Sequence, residues 1–259
     1  MTTSRITQGK EIHPEATIYT ASLIGQRKIQ QDAFKTNREN GAYVLADGMS
    51  HETLGIHAAK AACKAITAQP SHSGFQKAFD DVLKTQRRYN EPNIGTTAAL
   101  AKLDSHTILL AHTGDTRIYE LTHEGILTLL TRDHTLAQHR VDQNQAVTAD
   151  QHSKLTKFIG TKQPNASYYP KGERGHAQFV KALEDSEMRW PPKITRIDRN
   201  QYRAILLCTD GLHRTLSQKQ IQAVLNLKEG NPAVRLIERL PKDAYDNATA
   251  TVIELTSKK

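Results

Sequence analysis

Three short apolar runs, each ending at an aspartate beside a glycine, constrain the fold of this chain more than any other feature. They are residues 43–46 before Asp47-Gly48, residues 204–208 before Thr209-Asp210-Gly211, and residues 108–111 before Gly114-Asp115. Short apolar runs bounded by turn residues are typical of buried β-strands, and glycine allows the backbone to turn sharply. We therefore expect three strands whose ends each carry a carboxylate. A fourth aspartate, Asp246, stands beside a predicted terminal strand.

Helices and further strands are predicted between these runs. Alanines predict a tightly packing helix over residues 54–68, and apolar residues at helical spacing predict an amphipathic helix over residues 74–89. The turn at residues 114–117, between two strand-like runs, predicts a hairpin. Residues 217–220 form a capping box that begins another helix, and Pro232 begins the last one. Many strands together with amphipathic helices favour an α+β fold built in layers.

The length of 259 residues suits one large domain or two small ones, and we expect one. Residues 1–16 are polar and aperiodic, which predicts a mobile lead-in before a single domain over residues 17–259. Residues 136–153 are rich in polar side chains and are predicted to form a mobile flap. Residues 161–191 contain several prolines and glycines and are typical of an insertion.

The composition argues against some classes of partner. The net charge of +8 and the pI near 9.4 would favour polyanions, nucleic acid among them. However, the basic residues are dispersed along the chain, and aromatic residues, which stack on bases, make up only 5% of it. A solvated basic surface, or attraction to phosphorylated acidic substrates, explains the charge as well.

The apolar runs and the cysteines bear on location. No run approaches the roughly 20 apolar residues that cross a bilayer, and residues 1–10 lack the apolar core of a signal peptide. We therefore expect no membrane contact. Cys63 and Cys208 are the two cysteines, and both have the surroundings of small buried hydrophobes, although one disulfide between them is conceivable. This thin use of cysteine favours a reducing compartment, so we expect a cytoplasmic protein.

Seven short motifs give the chain a resemblance to a known family. Each alone is common, since Asp-Gly occurs in many turns. The ordered set spans residues 27–255 and resembles the metal-dependent protein phosphatases of the protein phosphatase 2C family, most closely the bacterial branch. The motifs are Arg27 with Gln31-Asp32, Ala46-Asp47-Gly48-Met49, Gly95-Thr96-Thr97, Gly114-Asp115-Thr116-Arg117, Thr131-Arg132-Asp133-His134-Thr135, Cys208-Thr209-Asp210-Gly211-Leu212 and Asp246-Asn247-Ala248-Thr249.

The resemblance implies both a fold and a reaction. The fold is a four-layer α-β-β-α sandwich, in which two central antiparallel β-sheets are covered by helices on both outer faces. The reaction is hydrolysis of phosphoserine and phosphothreonine in proteins by a water activated at a pair of Mn²⁺ or Mg²⁺ ions. Residues 17–259 would then be one catalytic domain. An all-oxygen set of carboxylate, carbonyl and water ligands suits these cations, whereas zinc recruits His and Cys.

The resemblance also assigns roles to individual residues. Asp47 would bridge both cations, the carbonyl of Gly48 would bind one of them, and Asp210 with Asp246 would hold the other. Arg27 would bind the substrate phosphate, because its planar guanidinium matches phosphate oxygens.

Three further residues would support these groups. Asp32 would orient the attacking water and so belong, with Arg27 and Asp47, to the catalytic set. Gln31 and Asn247 would lie behind the ligands and hold them in place.

The sequence departs from the family pattern at three places. Gln31 stands where many relatives place a metal-contacting Glu, so we expect weaker binding of the second cation. The turn at Ser50-His51 is one residue shorter than the usual bacterial pattern. Arg214 stands where an acid, together with the aspartate that matches Asp115, commonly holds a third cation. We therefore expect Asp115 either to pair with an arginine or to bind a third cation weakly.

Two other classes of function compete with a phosphatase that opposes a Ser/Thr kinase. The first is a catalytically impaired phosphatase-fold module that regulates or binds phosphoproteins, which the changes at residues 31, 50–51 and 214 favour. The second is a nucleic-acid-binding protein. The presence of Arg27 and of the aspartates at positions 47, 210 and 246 favours the enzyme. The sequence leaves the oligomeric state open.

Overall fold

The computed structural model describes residues 6–50, 53–91, 93–160 and 192–256. Six α-helices lie in these ranges: α1 Gly55–Ala68, α2 His72–Tyr89, α3 Leu136–Asp142, α4 Asp210–His213, α5 Gln218–Leu225 and α6 Pro232–Glu238. The strands are β1 Ile6–His13, β2 Ala16–Leu23, β3 Asp32–Asn37, β4 Ala42–Met49, β5 Gly95–Thr96, β6 Ala98–Leu103, β7 Thr107–Thr113, β8 Arg117–Thr122, β9 Leu127–Leu129, β10 Ile194–Asp198, β11 Tyr202–Cys208 and β12 Ala248–Leu255.

The strands form two antiparallel sheets. The first has the order β1-β2-β12-β11-β8-β9, and the second has the order β10-β7-β6-β4-β3, with β5 paired to the end of β4. Helices α1 and α2 cover the second sheet, whereas α5 and α6 cover the first. The four-layer α-β-β-α sandwich predicted from the sequence is therefore confirmed.

Alternation along the central strands explains why their sequences are continuously apolar. In β4, Tyr43 and Leu45 face the other sheet, while Val44 and Ala46 face α1 and α2. Strand β11 divides in the same way between the inter-sheet core and the layer of α5 and α6. Since successive side chains of a strand point to opposite faces, a strand covered on both sides must be apolar throughout. The apolar runs thus mark strands that are covered on both faces.

The hairpin predicted around residues 114–117 is wrong. Strand β7 lies in the second sheet and β8 in the first, so Gly114 to Thr116 carry the chain from one sheet to the other. A glycine turn shows that the chain changes direction, but it does not show whether the next strand pairs with the last one. Gly114 has φ +89°, and an added Cβ would collide with the side chain of Thr97.

The mobile lead-in predicted for residues 1–16 is wrong over residues 6–13. These residues form β1, which pairs antiparallel with β2 from Ile6↔Leu23 to His13↔Ala16. The strand lacks an apolar period because it lies at the sheet edge, where Ile12 is 69% exposed. Backbone pairing, which does not depend on side-chain type, defines it.

The predicted flap, residues 136–153, contains α3 and a 3-10 helix over Ala149–Ser153. Its two ends meet where the backbone amide of Leu136 donates to the carbonyl of Lys154 at 2.8 Å. The insertion predicted at residues 161–191 lies outside the described residues, as does His51. Among the helices that the structure describes, each is too short or too polar to cross a bilayer.

The crossover at Gly114 gives a test of this topology. Gly114→Ala should destabilise the protein by about 1–2 kcal/mol for the positive φ and by about 1–3 kcal/mol more for the collision with Thr97. Gly230→Ala is the matched control, since Gly230 has φ +72° but only an Arg235 nitrogen at 3.6 Å beside it. Urea denaturation measures both variants. Equal losses of unfolding free energy would contradict the crowded crossover.

Candidate metal centre

Aspartates from both sheets meet at one end of the sandwich. Strands β3 and β4 place Asp32 directly opposite Asp47. Asp210 follows β11 and Asp246 precedes β12, and these two strands are neighbours in the other sheet. Asp47 lies close enough to Asp32, Asp210, Asp115 and Asp246 for all four to act on its charge. The structure therefore brings together every aspartate that the sequence proposed for the site.

Asp32 is buried, with 6% of its surface exposed, and two hydroxyls fix it. Thr249 and Thr209 both donate to its Oδ2, at 2.6 Å and 3.0 Å. Its Oδ1 is also buried and has no hydrogen-bond partner within the described residues. A buried carboxylate oxygen without a partner is costly, so this atom suits a ligand or a water held in the site.

Asp47 is held through its backbone by the segment that follows α2. Its carbonyl accepts from the Thr96 hydroxyl at 2.8 Å and from the Thr97 amide at 2.9 Å. Its amide in turn donates to the Thr97 hydroxyl at 3.2 Å. The contacts of residues 96–97 are therefore structural, and they leave the Asp47 carboxyl to face the other aspartates.

Gly48 occupies a position where no side chain fits. An added Cβ would collide with the carbonyl oxygen of Gly55 and would lie 2.7 Å from that of Gln31. The Gly48 amide donates to the same Gln31 carbonyl at 3.2 Å. Close backbone approach thus fixes the peptide that follows Asp47.

Gln31 lies beside this turn, but its side chain binds protein groups. Its Oε1 accepts from the Gly55 amide at 2.9 Å and from the Ser50 hydroxyl at 3.1 Å. Ser50 Oγ also accepts from the amides of Leu54 and Gly55. Two donors use the two acceptor positions of an amide oxygen, so Gln31 ties the shortened turn to the start of α1.

Asp246 is paired with Arg27 through both carboxylate oxygens. Arg27 Nε donates to Oδ1 at 2.9 Å and Nη2 donates to Oδ2 at 2.8 Å. Asn247 secures the loop that carries Arg27, since its Oδ1 accepts from the Gln31 amide at 2.8 Å. Its Nδ2 donates to the carbonyls of Ile24 and Ile29. Asn247 therefore holds the loop of residues 24–31 against the Asp246 turn.

Arg214 bridges two acids of the cluster. Its guanidinium contacts Asp115 Oδ2 at 2.7 Å and Asp210 Oδ2 at 2.9 Å. The expectation that Asp115 pairs with an arginine is confirmed. Arg214 also donates to the carbonyl of His152 at 2.7 Å, so it connects the acids to the predicted flap. His213 lies beside it and pairs with the Asp115 carbonyl at 2.9 Å, and burial lowers the pKa of His213 to about 4.

Burial and mutual repulsion raise the pKa values of four aspartates, Asp32, Asp47, Asp115 and Asp210. Burial is the larger cause, and it raises the pKa of Asp32 and of Asp115 to about 7. The pKa of Asp47 lies well above its usual value because of burial and the neighbouring Asp32. Burial also raises the pKa of Asp210, although Arg214 opposes that rise. The cluster is therefore short of positive charge at neutral pH.

The donor set fits hard divalent cations, with one condition. The candidate ligands are carboxylates and a peptide carbonyl, and Asp32 Oδ1 is a buried oxygen without a partner. Within the described ranges, no group of three His, Cys, Asp or Glu side chains is already arranged to coordinate a metal ion. Arginines hold two of the carboxylates instead, Asp246 through Arg27 and Asp210 through Arg214. Cation binding at Asp246 therefore competes with its pairing to Arg27.

Sequence reasoning missed the hydroxyl groups that fix the site. Thr209 and Thr249 stand inside the motifs at Asp210 and Asp246, yet nothing in their spacing showed that both would bind Asp32. Tyr245 was also missed, and its ring lies 4.8 Å from the guanidinium carbon of Arg27.

Solved structures of serine/threonine phosphatases show the same fold. The crystal structure of the Mycobacterium tuberculosis serine/threonine phosphatase PstP/Ppp superposes with a TM-score of 0.75 at 22% identity, covering 94% of this chain and 100% of that one. The catalytic domain of PstP in complex with two manganese ions gives a TM-score of 0.67 at 20% identity, covering 98% of each chain. These likenesses support the fold.

Sequence comparison adds the family. The serine/threonine protein phosphatase PstP of Mycobacterium tuberculosis is 28% identical over 245 residues, which cover 85% of this chain. They cover 43% of PstP, so the chain spans less than half the length of this relative. The family model for protein phosphatase 2C matches residues 21–229. Because that match takes in most of its length, the chain belongs to the protein phosphatase 2C family.

Proposed function

We propose that this chain is a metal-dependent phosphatase that hydrolyses phosphoserine and phosphothreonine in proteins. The convergence of Asp32, Asp47, Asp210 and Asp246 on one end of the sandwich, with Arg27 beside them, carries the proposal. Membership of the protein phosphatase 2C family and the names of the relatives support it. Its substrates would be phosphorylated proteins, and its opposing partner would be a Ser/Thr kinase.

Mn²⁺ or Mg²⁺ would be held by Asp47, the Gly48 carbonyl, Asp210 and Asp246. A pair of such cations supplies charge neutralisation of the phosphate and acidification of a coordinated water. Arg27 offers Nε and Nη2 side by side, as it does now to Asp246, and this fork matches two phosphate oxygens. Asp32 holds its Oδ2 against Thr209 and Thr249, so its Oδ1 can accept a hydrogen bond from the attacking water.

A second function is favoured by the arginines at the site. Arg27 and Arg214 neutralise Asp246 and Asp210, and Gln31 brings an uncharged amide whose oxygen binds Gly55 and Ser50. A protein with these features could bind phosphoproteins without turning them over.

The cytoplasmic location expected from the sequence stays a prediction, which fractionation of cells with an antibody against the chain would test.

Hydrolysis of p-nitrophenyl phosphate and of a phosphothreonine peptide tests the proposed reaction. With Mn²⁺ or Mg²⁺, the protein should hydrolyse both, and a chelator should abolish turnover. Asp47→Asn and Asp210→Asn should each lower kcat/KM by more than about 100-fold, because each removes a proposed ligand. Asp80→Asn, at an exposed position on α2, is the matched control and should leave kcat/KM unchanged. Peptide binding without turnover would favour the second function, and turnover indifferent to both site variants would contradict the site.

The number of bound cations tests the role of Arg214. Calorimetric titration with Mn²⁺ should give two ions per chain, because Arg214 already neutralises Asp115 and Asp210. Arg214→Asp replaces that charge with a carboxylate and should admit a third ion. Arg239→Asp changes an exposed arginine outside the site and should still bind two. A third well-bound ion in the unchanged protein would show that Arg214 does not exclude it.

The raised pKa values predict how stability depends on pH. Asp32 titrates near 3.8 when unfolded and near 7 when folded, so the folded metal-free protein binds more protons between these values. Its contribution to stability is complete below pH 3.8 and is lost as pH rises through about 7. Cations compete with those protons, so Mn²⁺ should raise Tm more at pH 8 than at pH 5.5. Scanning fluorimetry with Mn²⁺ or chelator measures this, and an equal or larger rise at pH 5.5 would contradict it.

A further inference from the structure

Tyr245 is an exposed aromatic residue beside the proposed phosphate-binding arginine. It directly precedes Asp246, and 67% of its surface is exposed, so core packing does not explain it. Its ring lies 4.8 Å from the guanidinium carbon of Arg27, within the range of a cation–π contact. Asp246 and Tyr245 are thus the two groups in the described part of the chain that hold Arg27.

The backbone keeps Tyr245 and Arg27 together. The Gln26 amide donates to the carbonyls of Ala244 and Tyr245 at 3.0 and 3.1 Å, and Gln26 Nε2 donates to the Asp243 carbonyl at 2.9 Å. Gly25 has φ +64°, and an added Cβ would collide with the Asp246 carbonyl oxygen. The loops at residues 24–27 and 243–247 are therefore joined along their backbones, independently of the Arg27 side chain.

The two contacts of Arg27 use different parts of the guanidinium. Asp246 accepts from the edge, through Nε and Nη2, which are the donors that a phosphate would also use. Tyr245 contacts the guanidinium through the ring face, which leaves the edge donors to other acceptors. When Asp246 binds a cation, Arg27 loses its edge partner but keeps the ring.

We propose that Tyr245 is a positioning residue that holds Arg27 in place to receive the substrate phosphate once Asp246 has bound a cation. The proposal rests on the proposed role of Arg27 in binding that phosphate. Without the Tyr245 ring, the long and half-exposed Arg27 side chain would lose its fixed orientation, and phosphate would bind more weakly. The chemical step, which depends on the aspartates, would change little.

The test measures phosphate binding as well as turnover. In the presence of Mn²⁺, Tyr245→Ala should raise KM for p-nitrophenyl phosphate and the Kd of inorganic phosphate by about 2- to 5-fold, the size of an exposed cation–π contact. Its kcat and its affinity for Mn²⁺ should stay close to those of the unchanged protein. Tyr245→Phe keeps the ring face and should behave like the unchanged protein. Tyr89→Ala, which removes an arginine–tyrosine contact on α2, is the matched control and should change neither constant.

A double variant separates positioning from direct contact. In an Arg27→Ala background, Tyr245→Ala should weaken phosphate binding no further, because Tyr245 acts through Arg27. A further loss of equal size would show that Tyr245 contacts the substrate itself, and an unchanged Kd in Tyr245→Ala alone would also overturn the proposal. Phosphate binding by calorimetry does not require turnover. If the variants change the Kd of phosphate as predicted but the protein hydrolyses no phosphoester, the proposed reaction is wrong and the positioning role of Tyr245 is still supported.

Discussion

The repulsion among buried aspartates at one end of the sandwich is the constraint on which the site depends. Burial, with a smaller contribution from neighbouring aspartates, raises the pKa values of Asp32 and Asp115 to about 7. Ionised carboxylates in such a place require positive charge from basic side chains or metal ions. In the described structure Arg27 and Arg214 supply part of it. The two arginines differ in their partners, because Arg214 bridges two acids whereas Arg27 pairs with one.

The fold makes this unfavourable arrangement possible. Two sheets covered by helices give a rigid frame in which strand ends hold the aspartates. Backbone contacts fix the positions of Asp47 and of the Asp246 turn. Residues 96–97 fix Asp47, and Asn247 ties the loop of residues 24–31 to the Asp246 turn. A site held by strand ends and paired loops can keep like charges close, because the packing of the sandwich offsets the electrostatic repulsion between them.

Much of this could be predicted from the sequence, and the reasons are local. Strands β4 and β11 lie between two covered faces, so their apolar runs and terminal aspartates were visible in the sequence. The capping box at Ser217 and Gln220 was equally clear, and it begins α5 as expected. The fold topology and the individual roles of the acids came from the family resemblance. The structure confirms the topology, and the roles stay predictions.

What escaped prediction depends on contacts between distant parts of the chain. Strand β1 is defined by backbone pairing at a sheet edge, and the turn at Gly114 crosses between sheets, so neither left a local side-chain pattern. The hydroxyls of Thr209 and Thr249 meet Asp32 only in three dimensions. We propose that this end of the sandwich binds a pair of divalent cations. Anomalous diffraction from crystals soaked in Mn²⁺ measures this binding. We expect two peaks about 3.5–4 Å apart between Asp47, Asp210 and Asp246, with Arg27 turned away from Asp246. Crystals without a peak at these aspartates, with Arg27 still paired to Asp246, would contradict it.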